Sequence, residues 1–362
     1  MKKHYTWIDV AKGIGIVFIV LGHAANTGNV KKYLFSFHIP MLLMLSGIVF
    51  STRDSFVEFA KSRLKRTVVP YFVFSFISIM IFRIIGMLRP SITDGMNTNV
   101  LTNIGVMMWG NSKPDCMKYN SPLWYLPCLF IVLVLSYGIE TIIDRFQKVM
   151  GGGYALRACI IGLCVLYTLV LSPYLDHNPV LPWHIETSVN LLAFFQVGCA
   201  LQVLIPDFYR WAREHNKSLI IAAATLFIVI GGLVAAFNTR VDIRLDSYGN
   251  VIAYYVEAFC SSIGWIMVAV AIDKNIVFER LGAESLAIML LHKFPLLLFQ
   301  KVVPFTKLYL NKPNSILGII CIIASGIITL ILCHIAAMIL SKYIPWTIGC
   351  GKGRNILVKE TQ

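Results

Sequence analysis

The sequence predicts an all-α, polytopic integral membrane protein of about ten transmembrane helices, with the N-terminus and C-terminus both cytoplasmic. Three observations lead there. Of 362 residues, 57% are hydrophobic and only 14% charged, against roughly a quarter charged in a soluble domain. Apolar runs of about 20 residues, the length that crosses a hydrocarbon core of ~30 Å, recur from end to end. The basic residues collect in the short segments between those runs. With no water at membrane depth each run must satisfy its own backbone, so each must be helical.

The spans fall at 8–26, 33–51, 68–88, 122–143, 155–173, 187–204, 218–237, 251–272, 284–303 and 315–341. Segment 99–110 is apolar but too short to span, and is expected to be re-entrant or interfacial. Trp7, Tyr33, Tyr71, Trp124, Trp183 and Tyr343 stand near span ends, as an aromatic belt would. With the N-terminus inside, and with Arg157 and Lys301 at span edges counted with the loops they adjoin, cytoplasmic segments hold 19 basic residues and outer segments 10. Positive charge concentrates on the cytoplasmic side of membrane proteins, which sets the orientation. A single membrane domain over 1–362 is expected, closed by a short cytoplasmic tail at about 342–362.

The net charge of +14 does not indicate nucleic-acid binding, which would need a basic patch on a soluble face. Its partner is the lipid bilayer. Nine cysteines, seven of them inside apolar runs and none in a CxxC pair, indicate neither a disulfide framework nor a metal site; Cys116 and Cys350 lie in a loop and in the tail. The first apolar run carries Asp9, Lys12 and His23, unlike a cleaved signal segment, and is expected to belong to the mature protein.

Those three residues are the first sign of chemistry. Ionisable groups inside a span are expensive and normally face a bundle interior or a watery cavity. At about 100° per residue, Lys12 lies roughly 60° from Asp9 and His23 roughly 20° from Lys12, so all three share a face. His23 stands roughly 21 Å above Asp9, towards the outer surface. An interfacial Asp9–Lys12 pair with a satisfied buried His23 would explain them structurally, but not a polar stripe running through most of a bilayer. A neutral imidazole there can take a proton from a hydroxyl or accept an acyl group. His38 opens the second span in Phe37-His38-Ile39-Pro40, also near the outer surface. On the other side, five basic residues lie between 53 and 66. Topology alone accounts for a cluster there, yet Arg63 and Arg66, at i and i+3, would share a helix face and fork onto phosphates. His292, beside Lys293 in the ninth span, is a third candidate imidazole. His334, alone in the tenth, reads as structural.

At these residues the chain resembles the membrane acyltransferase-3 family of bacterial O-acyltransferases. The resemblance runs end to end: Ile8-Asp9, Lys12-Gly13 and His23; Phe37-His38-Ile39-Pro40 with Ser46-Gly47; Arg63, Arg66 and Pro70; Pro122-Leu123-Trp124-Tyr125-Leu126; and Ser285, His292 and Pro295. The start of the second span looks most like the fucose 4-O-acetylase branch. The resemblance implies a bacterial inner-membrane enzyme that takes an acyl group from cytoplasmic acyl-CoA, most simply acetyl-CoA as co-substrate and without a metal. The acceptor would be a glycan or lipid-linked sugar on the far side. It implies catalytic roles for His23, His38 and Asp9, donor binding by Lys12, Arg63 and Arg66, and substrate binding by Trp124, Tyr125 and His292. Many relatives carry Arg where this chain has Lys12, which removes a forked hold on phosphate at that place. The C-terminal esterase-like domain of some relatives is not expected here. A continuous cavity is expected from the 61–66 segment to His23. The competing reading is a secondary transporter or polyprenyl-glycan flippase with Asp9, Lys12 and His23 as a proton relay; transporters are commonly built from inverted repeats, and none is evident.

Overall fold

The structure, a computed structural model, describes residues 5–110, 117–175, 181–214, 216–302 and 312–349. Cys116, Cys350 and the tail beyond residue 349 lie outside the described residues. Everything regular among the described residues is helical, apart from one isolated bridge between Asp242 and Ser247. The chain is an all-α polytopic membrane protein. Among the described residues seven helices are long and apolar enough to cross a membrane, or up to nine if each of two sharply bent pairs is one span.

In chain order the helices are α1 (Thr6–Ala24), α2 (Gly28–Ile48), α3 (Phe56–Arg66), α4 (Val68–Leu88), α5 (Val100–Trp109) and α6 (Tyr125–Met150). There follow α7 (Gly153–Leu175), α8 (Ile185–Leu201), α9 (Ile205–Glu214), α10 (Lys217–Phe237) and α11 (Val251–Ile272). The last four are α12 (Ile276–Ala283), α13 (Ser285–Leu291), α14 (Lys293–Val302) and α15 (Ile316–Tyr343). Helices α4, α10 and α11 coincide with their apolar runs to within a residue. The short apolar segment is α5, stopped by Gly110 in the left-handed conformation, which glycine adopts without a Cβ clash.

Two runs read as single spans differ. The segment 284–303 is split at His292 into α13 and α14, and α12 meets this unit at a 65° bend. Pro295 supplies the reason. It has no N–H for the Leu291 carbonyl four residues back, and its ring crowds that carbonyl. Segment 187–204 gives α8, after which the chain bends by 65° into α9, where a loop is expected. Helix α2 has 21 residues, of which 12, all from Leu34 onward and including His38, are buried, while Lys31 and Lys32 are half-buried near its start.

Helix α1 is the centre of the bundle, with 67% of its apolar window buried, whereas α7 shows 11% and α10 22%. It touches α2, α11, α12, α13, α14 and α15. Helices α7, α10 and α15 instead turn Leu, Ile and Val side chains outward, as lipid-facing helices must. Within the bundle, backbones meet at glycines. A Cβ on Gly13 would stand 2.0 Å from the Phe278 carbonyl oxygen, and one on Gly282 2.0 Å from that of Asp9. Gly47 of α2 and Gly198 of α8 interlock similarly, at 2.2 Å from Phe195 O and 2.1 Å from Met44 O. Small residues at such crossings are how helices associate where lipid offers no hydrophobic drive. Gly282→Val, which must push α12 off α1, is expected to cost about 3 kcal/mol, the upper end for overpacking. Thermal unfolding of the detergent-solubilised protein checks this; an unchanged midpoint would refute the contact.

Candidate active site

The three predicted imidazoles converge at one end of α1. His23 lies in its last turn. Its ring centroid is 5.1 Å from that of His292, at the α13–α14 break, and 5.2 Å from that of Phe35 of α2. Phe35 is in turn 5.2 Å from His38. Both partner histidines are held through Nδ1 by backbone carbonyls. His38 Nδ1 lies 2.5 Å from Leu34 O, and His292 Nδ1 lies 3.1 Å from Ile288 O and 2.9 Å from Met289 O. A carbonyl only accepts, so each Nδ1 carries a proton and each Nε2 is left with a lone pair when the ring is neutral. His292 Nε2 is buried without a hydrogen-bond partner. Such an orphan is costly, and the ring that carries it packs beside that of half-buried His23. Asp9, Lys12 and His23 are all half-buried on an otherwise mostly buried helix, which fits a face lining open space.

Asp9 and Lys12 lie towards the opposite end of α1. Lys12 Nζ lies 3.5 Å from Asp9 Oδ1, both side chains partly exposed. Helix α3 begins with a capping box of Ser55 and Glu58, which fixes where its last turn presents Arg63 and Arg66. Arg63 is half-buried over the ring of Phe59 at 5.0 Å, and its Nε is buried without a partner. Arg66 is exposed. Its backbone lies against Gly349, where a Cβ would be 3.1 Å from Arg66 Cα and 3.2 Å from a methyl of Leu286 in α13. Helix α13 therefore starts beside Arg66 and ends at His292, a rise of roughly 9 Å over six residues. The donor candidates and the imidazoles thus share a short helix.

Trp124 and Tyr125 are buried on a different wall. Trp124 packs on His184 with centroids 4.9 Å apart and borders a narrow cleft with Tyr71, Asn120 and Ser121. The short 3-10 helix Lys118–Trp124 joins this wall to the imidazoles, because Asn120 donates to Leu290 O at 3.2 Å. Sequence reasoning passed over His184, whose Nε2 is buried and unpartnered. It also passed over the chain of bonds behind it: Thr187 Oγ1 to Asp246 at 2.8 Å, and Tyr248 OH to Asp246 at 2.7 Å. Trp183, His184 and Asp246 all adopt positive φ, which is rare for residues with a Cβ and concentrates at functional places. His334 is not alone. Its Nδ1 is 2.6 Å from Oε2 of Glu284, buried at the α12–α13 bend. Among the described residues no group of three or more His, Cys, Asp or Glu side chains is placed to hold a metal.

The central helix thus carries half-buried Asp9 and Lys12 towards its start and half-buried His23 in its last turn, where His23 meets His292. A family model described as an acyltransferase domain matches residues 5–338. The chain belongs to this acyltransferase-3 family and is a multi-pass membrane acyltransferase acting on acceptors other than amino-acyl groups. No curated protein matches it.

Proposed function

We propose that the protein transfers an acetyl group from cytoplasmic acetyl-CoA to a sugar hydroxyl of a lipid-linked or exported glycan at the outer face of a bacterial inner membrane. Both termini lie in the cytoplasm in this reading, following the basic residues. The observation that carries it is the bare, buried Nε2 of His292 beside His23, at the end of a short helix that starts at Arg66. Arg63 and Arg66, with Lys12, hold the phosphates of the donor, which remain in water because desolvating several charges in a bilayer is prohibitive. Only the uncharged pantetheine arm follows α13 towards His23.

There the acceptor hydroxyl gives its proton to the His23 imidazole as its oxygen bonds to the acyl carbon. The carbon–sulfur bond breaks, and the departing thiolate takes the proton back. His38 and His292, held by backbone carbonyls, offer their Nε2 atoms to further acceptor hydroxyls. Trp124 and Tyr125 form a second wall for the sugar. Confining both reactants converts a two-body encounter into an effectively unimolecular step. The fucose 4-O-acetylase-like motif at His38 favours a deoxy-sugar or related hexose acceptor.

The test uses the purified protein in nanodiscs with acetyl-CoA labelled in the acetyl group and a panel of alkyl hexosides. Label is expected on a hexoside with stoichiometric release of CoA. Movement of glycan across the bilayer without acetylation would instead establish a carrier and overturn the enzyme reading.

A further inference from the structure

The His23 end of the bundle gathers cations that the transfer chemistry does not use. Lys31 of α2 places its Nζ over Phe35, 5.0 Å from the ring centroid. Phe35 is the ring that touches both His23 and His38, which bounds the ammonium-to-His23 distance at about 10 Å. Lys293 directly follows His292 and stands within electrostatic reach of both His23 and Lys31. Arg244, on the 3-10 turn Ile243–Leu245, is within reach of Lys31, Lys293 and His184. Lys31 and Lys293 are half-buried.

Asp242 lies within electrostatic reach of Lys31 and Arg244, and this one carboxylate offsets only part of the charge of Lys31, Lys293, Arg240 and Arg244. Asp242 is engaged by Arg240 at 3.3 Å, and Asp246 accepts from Thr187 and Tyr248. Among the described residues Lys31 and Lys293 form no ion pair; Lys31 donates only to the Asn26 carbonyl, at 3.0 Å. The neighbouring Lys32 behaves differently, turning away to bond the Ala236 carbonyl at the end of α10. Cations crowded in a half-buried place repel one another and lose solvation, a cost recovered when an anion binds among them. His292 is fully buried, its Nε2 has no hydrogen-bond partner, and its ring lies 5.1 Å from that of His23.

We infer that Lys31 and Lys293, with Arg244 behind them, form an anion subsite, so that the acceptor carries a phosphate or carboxylate about one sugar away from the hydroxyl that is acylated. This rests on the proposed acyl transfer to a glycan. Two sources supply the same chemistry: an acid group on the sugar itself, or the phosphate that links a sugar to its lipid. The anion anchors the acceptor, and the imidazoles then select among the hydroxyls within reach.

The experiment uses full-length protein in phosphatidylcholine nanodiscs and two matched probe pairs, octyl glucuronide against octyl glucoside, and farnesyl phosphate against farnesol. Direct binding is measured for each, and CoA release from acetyl-CoA without acceptor is followed separately. At least one anionic probe is expected to bind roughly tenfold tighter than its neutral match, the size of a charge-assisted hydrogen bond. A preference for the glucuronide indicates an acidic sugar, and one for farnesyl phosphate indicates a lipid phosphate. Lys31→Gln and Lys293→Gln should each remove most of the preference, and Lys31→Arg and Lys293→Arg should retain it. Equal binding within both pairs, or a preference that survives both glutamine variants, overturns the subsite. An anion preference in protein that neither releases CoA nor acetylates any hexoside would overturn the acyl-transfer reading and leave the subsite standing.

Discussion

His23→Ala is expected to reduce acetyl transfer by roughly 10²- to 10⁴-fold, the contribution of a well-placed general base. The affinity for acetyl-CoA should change little. His23 is the one imidazole on the central helix, and it contacts His292 directly and His38 through Phe35. Both partners are fixed in place through Nδ1 and cannot swing into the position of the lost ring. His38 is pinned by Leu34 O and almost fully enclosed, and His292 is pinned by Ile288 O and Met289 O. The substitution also removes no polar tie between helices, since Gln300 bonds the His23 carbonyl and not its ring. A folded variant is therefore expected, which gel filtration and thermal unfolding would verify. Transfer within a few-fold of the unsubstituted protein would rule His23 out as the base.

Arg63→Ala and Arg66→Ala should each raise KM for acetyl-CoA by roughly ten- to a hundredfold, the range for losing a charge-assisted bond to phosphate. The acceptor KM should hardly move. Arg63 is the more exacting position, because its guanidinium is steered by Phe59 and its Nε has no partner within the protein. Lysine at either place should restore only part of the affinity, since an ammonium cannot fork onto two oxygens. Steady-state kinetics with each substrate varied in turn decides the matter. Unaltered donor KM in both alanine variants would leave the cluster with a purely topological role.

Where the elements lie was legible because span length and apolarity are local properties; α4, α10 and α11 begin and end with their apolar runs. The break at His292 was less so. Pro295 was in plain view, but a run of 20 apolar residues outweighs one proline until the backbone is traced. Convergence of His23 and His38 was anticipated from their depth, whereas the hold on their tautomers comes from carbonyls that carry no sequence signature. Long-range partners were out of reach. Glu284 and His334 are 50 residues apart, and Asp246 meets Thr187 across 59. Lys31 falls in the short segment between the first two predicted spans, and the placement of Phe35 beneath it shows that it stands near the imidazoles.

Helix α15 carries a lipid-facing row from Ile316 to Ile339, a rise of roughly 35 Å. That exceeds a hydrocarbon core of ~30 Å, so hydrophobic mismatch makes this helix lean, or thickens the bilayer around it. The lean is not free of consequence, because the C-terminal half of α15 holds His334, and His334 grips Glu284 at the foot of α13. A change in bilayer thickness that alters the tilt of α15 would therefore pull on the helix that ends at His292. Through the His334–Glu284 contact, the tilt of α15 is expected to reach the helix that carries His292.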